Sequence, residues 1–164
     1  MINDLYPFIQ AYSLVIGIAV GSFLNVIIYR LPNNKSIVKP RSKCTGCNTQ
    51  ITWYDNIPVI SYIILLGKCR NCKAPISIRY PLIELICGLM TIMLLSIYGP
   101  SYEFIVIVLL CYMLIAITFI DIDHFIIPNG FIIFGFIISI VAHSLKLLPI
   151  TILQGLYGVF AFGG

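Results

Sequence analysis

Charged residues leave long gaps in this chain, and the gaps predict its elements. From Pro7 to Tyr29 no position is charged. As a helix rising 1.5 Å per residue, those 23 positions cover about 34 Å, enough to cross a hydrocarbon layer roughly 30 Å thick. The pattern predicts a transmembrane helix. A cleaved leader is the competing reading, but the segment begins with Asp4 instead of a basic patch and has no small-x-small site before Arg30. A second apolar run extends from Pro81 to Tyr98, interrupted only by Glu84, and stops at Gly99-Pro100, a helix-breaking pair. The third runs from Phe104 to Ile120 and ends on Asp121. Beyond the Asp121-Ile-Asp-His124 cluster and Pro128-Asn129-Gly130, a fourth goes from Phe131 to about Ser144. A fifth begins near Ile150 and reaches Gly164 after 15 positions, too few for a complete span.

Composition strengthens this picture. Of 164 residues 60% are apolar and only 10% charged, against roughly 25% charged in soluble chains, so an ordinary wetted surface is excluded. The expected fold is an all-α polytopic membrane protein with a small zinc-ribbon-like loop between its first two helices. Three units follow: a first helix over 1–29, a loop over 30–80, and helices two to five over 81–164, the fifth incomplete. The formal net charge of +4 is unevenly spread, because nine of the ten basic residues lie between Arg30 and Arg79, where the only acid is Asp55. Loops rich in Lys and Arg stay on the cytoplasmic side, so the expected orientation puts the N-terminus outside and the 30–80 loop in the cytoplasm. Alternation then places the Gly99–Glu103 turn outside and the Asp121–Gly130 hairpin inside, with Lys146 the one basic residue on the opposite side. These charges match anionic membrane lipid. Nucleic acid is not an expected partner, since the loop has no basic helix long enough to fill a groove.

Within the loop, Cys44-Thr-Gly-Cys47 and Cys69-Arg-Asn-Cys72 form two Cys-x-x-Cys pairs separated by 21 residues. Zinc takes four tetrahedral thiolates, each pair offers two from one turn, and neighbouring Arg and Lys favour the deprotonated sulfur. A structural zinc site is the leading reading, with redox thiols and free cysteines as alternatives. Four thiolates would leave no open coordination position. Cys87 and Cys111 lie within apolar runs and read as small buried hydrophobes.

Polar residues inside the spans are few. Ser13, Gly17, Gly21 and Asn25 recur at four-residue steps along one stripe of the first helix, which suits a close helix-packing seam with Asn25 as hydrogen-bonding glue; a direct substrate role is the alternative. Glu84 lies near the start of the second apolar run, where the helix dipole favours a carboxylate and Arg79 is expected within reach; a structural and a functional role stay open. Asp121, Asp123 and His124 end an apolar span. Such residues mark a functional site or cap the helix in the interface. If residues 121 to 123 were helical, the two carboxylates would point about 200° apart and could not hold one water between them, so paired-carboxylate chemistry would need an acid from another segment.

Five strings taken together resemble the bacterial type IV prepilin peptidases: Gly21-Ser-Phe-Leu-Asn-Val-Ile-Ile-Tyr-Arg-Leu-Pro32, the two cysteine pairs, Trp53-Tyr-Asp-Asn-Ile-Pro58, Arg79-Tyr-Pro-Leu-Ile-Glu-Leu85, and Ile120-Asp121 followed by Pro128-Asn129. They cover nearly the whole chain in order. The resemblance implies a protease of the bacterial inner membrane that removes the short basic leader of type IV prepilins or pseudopilins, as in type IV pilus, type II secretion and competence systems. It also implies N-methylation of the new N-terminus in many members, with S-adenosylmethionine as cofactor. By the family's spacing to the Pro-Asn pair, Asp121 is the expected catalytic aspartate. Asp123, Glu84 and Asn25 are candidates for supporting roles, and the region around Asn25, Trp53 to Asn56 and Glu84 is the candidate neighbourhood of the methyl donor.

The family's second aspartate lies in a Gly-x-Gly-Asp motif, and no such string occurs here. The expectation is a C-terminally truncated form, inactive alone. Asp55, Glu84 and Asp123 are the only acids on the expected cytoplasmic side that could replace it. The rival reading is a non-enzymatic, membrane-anchored zinc-ribbon module of a secretion or pilus assembly.

Overall fold

A computed structural model describes residues 2–147; the fifth expected helix, from Ile150 onward, lies outside them. In hydrocarbon a backbone must satisfy its own hydrogen bonds, and the apolar runs do so as helices. The described elements are α1 (Ile2–Arg30), a 3-10 turn (Trp53–Asn56), α2 (Ile60–Ile64), α3 (Arg79–Tyr98), α4 (Tyr102–His124) and α5 (Asn129–Ser144). Among them α1, α3 and α4 are long and apolar enough to cross a membrane. The 16 residues of α5 rise only about 24 Å, so the fourth expected span is shorter than a full crossing.

Local chemistry moves each boundary from where the hydropathy gap puts it. α3 starts two residues before Pro81, because a proline in the first turn replaces an N–H that would have no helical partner anyway. Ser101 caps α4: its Oγ accepts from the Phe104 N–H at 3.1 Å. At the other end α4 runs on through Asp121, Ile122 and Asp123 to His124. It stops only where Phe125 turns left-handed, at φ 53°, and its N–H donates to the Asp121 carbonyl at 2.8 Å.

Between membrane helices the attraction is contact rather than the hydrophobic effect, so small residues decide where backbones meet. α1 lies against α3 along the Ser13–Gly17–Gly21–Asn25 stripe. A Cβ at Gly17 would sit 2.8 Å from both the Cys87 carbonyl oxygen and the Gly88 Cα, and one at Gly21 would sit 2.7 Å from the Glu84 Cα. From the facing side, a Cβ on Gly88 would meet Ile18 at 2.5 Å. Asn25 completes the seam by donating through Nδ2 to the Tyr80 carbonyl at 3.1 Å. α4 closes the bundle over α1 and α3, burying Ile83, Cys87, Ala116 and Ile120 completely. Inside that core Thr91 donates to the Cys87 carbonyl, and its Oγ1 lies 2.5 Å from the Tyr112 hydroxyl. α5 packs on α4 through Val106, Ile138 and Ala142.

This contact makes a prediction. Gly17→Val must push backbone against backbone, and overpacking of that kind costs about 1–3 kcal/mol or more. Gly130→Ala, with nothing within 4 Å of the new methyl, is the neutral control. Thermal unfolding in detergent, read by far-UV circular dichroism, should show a clear loss for the first and none for the second.

Candidate functional site

The two cysteine pairs fold as two copies of one hairpin, offset by 25 positions. In the first, Lys43 bridges Gln50, the Cys44 N–H donates to the Thr49 carbonyl at 2.9 Å, and the Asn48 N–H donates to the Cys44 carbonyl at 2.9 Å. In the second, Lys68 bridges Pro75, with the Cys69 N–H on the Ala74 carbonyl at 2.8 Å and the Lys73 N–H on the Cys69 carbonyl at 3.0 Å. The residue after each second cysteine is left-handed, Asn48 at φ 56° and Lys73 at φ 61°. That turn aims both thiols of a pair to one side.

The two turns face each other, so the sulfurs of Cys44, Cys47, Cys69 and Cys72 all lie within 4.8 Å of one another, and Cys44 and Cys72 are 3.7 Å apart. A tetrahedron of thiolates around zinc, with bonds of 2.3 Å, has edges of about 3.8 Å. Donor set and spacing therefore fit a closed structural zinc site. The Gly46 N–H already points at the Cys44 sulfur, at 3.4 Å. Hydrogen bonds from the side chain and backbone of Thr49 draw the Cys47 thiol down to about 6. Backbone N–H groups of Cys72 and Asn71 lower Cys69. Cys72 goes the other way, to about 11: the Ala74 N–H favours its thiolate, but desolvation and the neighbouring sulfurs outweigh it. Four sulfurs this close divide into thiolates and thiols unless a cation neutralises them.

Two polar ties fasten this loop. The Arg70 guanidinium grips Asp55 from two nitrogens, at 2.6 Å from Nη2 and 2.9 Å from Nε, and holds its carboxyl below the usual carboxylate range. Thr52 adds a bond to the same carboxylate at 3.1 Å. This locks the 3-10 turn to the second hairpin. The other tie is Glu84, which is buried and accepts the Val59 N–H at 2.7 Å. Arg79, expected as its partner, is five positions away on the helix, beyond the three- and four-residue spacings at which side chains meet.

Arg79 crosses instead to the end of α4. Its Nη1 donates to both oxygens of Asp123, at 2.8 and 2.6 Å, its Nη2 donates to the Phe119 carbonyl at 3.0 Å, and the guanidinium lies 4.8 Å over the Phe119 ring. A lysine can make one of these contacts but not the set. Because both charged groups are about one-third exposed, Arg79→Lys is expected to cost only about 1 kcal/mol, seen as a small drop in thermal stability in detergent.

Asp123 is thereby committed to Arg79. Since α4 stays helical through His124, Asp121 projects about 200° away from it. The Asp121 side chain is exposed and makes no hydrogen bond or ion pair among the described residues. The structure thus brings together the four cysteines, Asn25 with α3, and Asp123 with Arg79, but does not pair Asp121 with Asp123. Asn25 Nδ2 and one carboxylate oxygen of Glu84 are taken up by backbone partners, and no methyl-transfer step is routed through them. The Arg79 and Arg70 contacts are absent from the motif reading. A charge count could have pointed to the latter, because Asp55 is the only acid within the basic loop.

Comparison with known proteins covers both halves of this arrangement. Residues 15–98, holding the glycine seam, the hairpins and Glu84, match the model of the bacterial peptidase A24 N-terminal domain; residues 108–164, holding Asp121, match that of the type IV leader peptidase family. A prepilin leader peptidase/N-methyltransferase of Myxococcus xanthus is 42% identical over 134 residues, covering 82% of this chain and 40% of the relative. Proteins of the same name from Pseudomonas putida and Neisseria gonorrhoeae are 34% and 36% identical, covering 79% of this chain and 52% and 54% of their own lengths. The chain thus spans about half the length of the curated relatives it matches. No solved structure matches it significantly. With a multi-pass helical frame, a four-cysteine loop and an aspartate-ended helix each falling within these matches, the chain belongs to the bacterial type IV prepilin peptidase family, peptidase A24.

Proposed function

We propose that this chain carries one half of the catalytic pair of a membrane aspartic endopeptidase that removes the leader of type IV prepilins or pseudopilins, and that Asp121 is its contribution. The observation that carries the reading is the contrast among the acids at the loop's end of the bundle. Asp55 is held by Arg70, Asp123 by Arg79 and Glu84 by the Val59 N–H, while Asp121 has no partner among the described residues. Hydrolysis by two carboxylates needs one ionised to take a proton from water and one protonated to polarise the scissile carbonyl; their mutual repulsion enforces that split. None of the three engaged acids is free to be the partner. The second carboxylate comes from polypeptide outside the described residues, and the chain alone is inactive.

In this reading Asp123 is a positioning residue, and Asn25 and Glu84 hold the frame. The N-terminus faces outward, the cysteine loop lies in the cytoplasm of a bacterial inner-membrane protein, and the basic leader of the substrate approaches the acidic end of α4 from that side. The relatives' names include an N-methyltransferase activity, and in this reading its acceptor is the new N-terminus and its methyl donor S-adenosylmethionine.

The test is release of the leader from a synthetic prepilin by detergent-solubilised protein, comparing these 164 residues with a full-length protein that contains them. Cleavage by the full-length form alone supports the reading. Cleavage by neither would leave a membrane-anchored zinc-ribbon module as the better account.

A further inference from the structure

We propose that the segment from Ile57 to Leu66 is an interfacial anchor, which lays the isoleucines of α2 into the anionic leaflet at the loop's end of the helix bundle. The inference stands apart from the catalytic assignment and from the direction of insertion. Its occupant is the bilayer surface itself.

The first observation is an apolar surface with no protein over it. Ile60, Ile63, Ile64 and Leu66 are 55%, 64%, 68% and 82% exposed, within a loop otherwise built from polar hairpins. Their outward direction is fixed, because Ser61 is buried and its Oγ donates to the carbonyls of Tyr54 at 3.0 Å and Ile57 at 2.7 Å. Two non-glycine residues at positive φ, Val59 at 61° and Leu66 at 50°, bracket the helix and set it off as a separate bar. In a β-branched residue that backbone is strained and persists only where surrounding contacts hold it.

The second observation is depth. The Arg79–Asp123 pair marks a level where charged side chains meet water or headgroups. Glu84 lies five residues further into α3, about 7.5 Å along the axis, and it is the group that binds the Val59 N–H. α2 therefore starts at or beneath the charged level, beside the surface where α3 enters the membrane. An apolar bar held there meets the boundary between headgroups and acyl chains, where amphipathic segments bury their apolar face.

Charge gives the third. Nine basic residues against one acid between positions 30 and 79 suit an anionic leaflet. Trp53 and Tyr54 stand edge to face beside α2, with centroids 5.7 Å apart; such rings concentrate at membrane interfaces.

The chain has a single tryptophan, which makes the test direct. In a Trp53→Phe background, Ile63→Trp and Ile64→Trp are made separately in the whole chain. Each is reconstituted into vesicles of phosphatidylethanolamine and phosphatidylglycerol, with zinc content and circular dichroism confirming the fold. The expected result is blue-shifted emission that loses most of its intensity to lipids brominated near the headgroup and little to iodide in the water. Strong iodide quenching with no bromine quenching overturns the proposal, and so does protection from both, which would mean that protein covers the face. If neither variant folds, Trp53 of the unmodified chain, next to the Tyr54 whose carbonyl Ser61 of α2 binds, is read with the same two quenchers and judged by the same outcomes.

Discussion

Asp121→Asn is expected to abolish leader cleavage in a full-length protein that carries both catalytic carboxylates, with a fall in kcat of ~10²–10⁴-fold, the contribution of a positioned acid or base. The substitution is nearly isosteric at an exposed position whose side chain holds nothing else among the described residues, so folding should be untouched. KM should change little, because binding of the leader and of the apolar stem does not use this group. Asp123→Asn is the informative comparison. It weakens the contact with Arg79 and lets the end of α4 move, so it should lower stability slightly and activity partly, and a shift of the pH profile is not expected. Equal losses from the two substitutions would sink the assignment of separate roles to them.

The other large effect is expected from the metal. Removing zinc with a strong chelator, or making Cys47→Ser, should unfold both hairpins while leaving α1, α3 and α4 associated. Each hairpin is held by a few backbone hydrogen bonds worth about 1 kcal/mol apiece, whereas structural zinc sites contribute an apparent ~10–16 kcal/mol of binding free energy. Without the ion, the four sulfurs have only repulsion and thiol protons to settle their contact. The readout is limited trypsin digestion with mass spectrometry: Lys43, Lys68, Arg70 and Lys73 lie on or between the cysteines and should become cleavable together. Zinc analysis should give one ion per chain before treatment and none after. An unchanged digestion pattern, or no bound zinc in the freshly purified protein, would overturn the structural-metal reading.

How much of this was legible in the sequence depends on the range of the interaction. The membrane helices could be read because each is a run without charge, and the hairpins because Cys-x-x-Cys carries its geometry within four residues. Helix ends were misplaced by a few positions where short-range chemistry overrides hydropathy: Pro81 is tolerated in a first turn, and the polar Asp121–His124 stretch stays helical until Phe125 breaks it. The helix α2 leaves no mark in the pattern, since five residues, four of them apolar, within a basic loop carry no period that distinguishes a helix from a strand or a turn. Proximity along the chain suggests Arg79 as the partner of Glu84, but each takes a partner that only tertiary packing supplies: a backbone N–H 25 residues earlier for Glu84 and a carboxylate 44 residues later for Arg79. For Asp121 the motif points to the residue, and among the described residues the fold gives it no partner.

The repeated hairpin also orders events during synthesis. Its first copy emerges soon after α1, bringing two of the four sulfurs while the second copy is still inside the ribosome. No cation can be held by all four sulfurs until Cys72 has appeared, seven residues ahead of Arg79. Closure of the metal clip therefore coincides with the arrival of α3 at the insertion machinery, and the end of α1 is tethered to the start of α3 before the glycine seam between them forms. A nascent chain starved of zinc would have to find that pairing across about 50 unrestrained residues, so the ion shortens the loop that must close between α1 and α3.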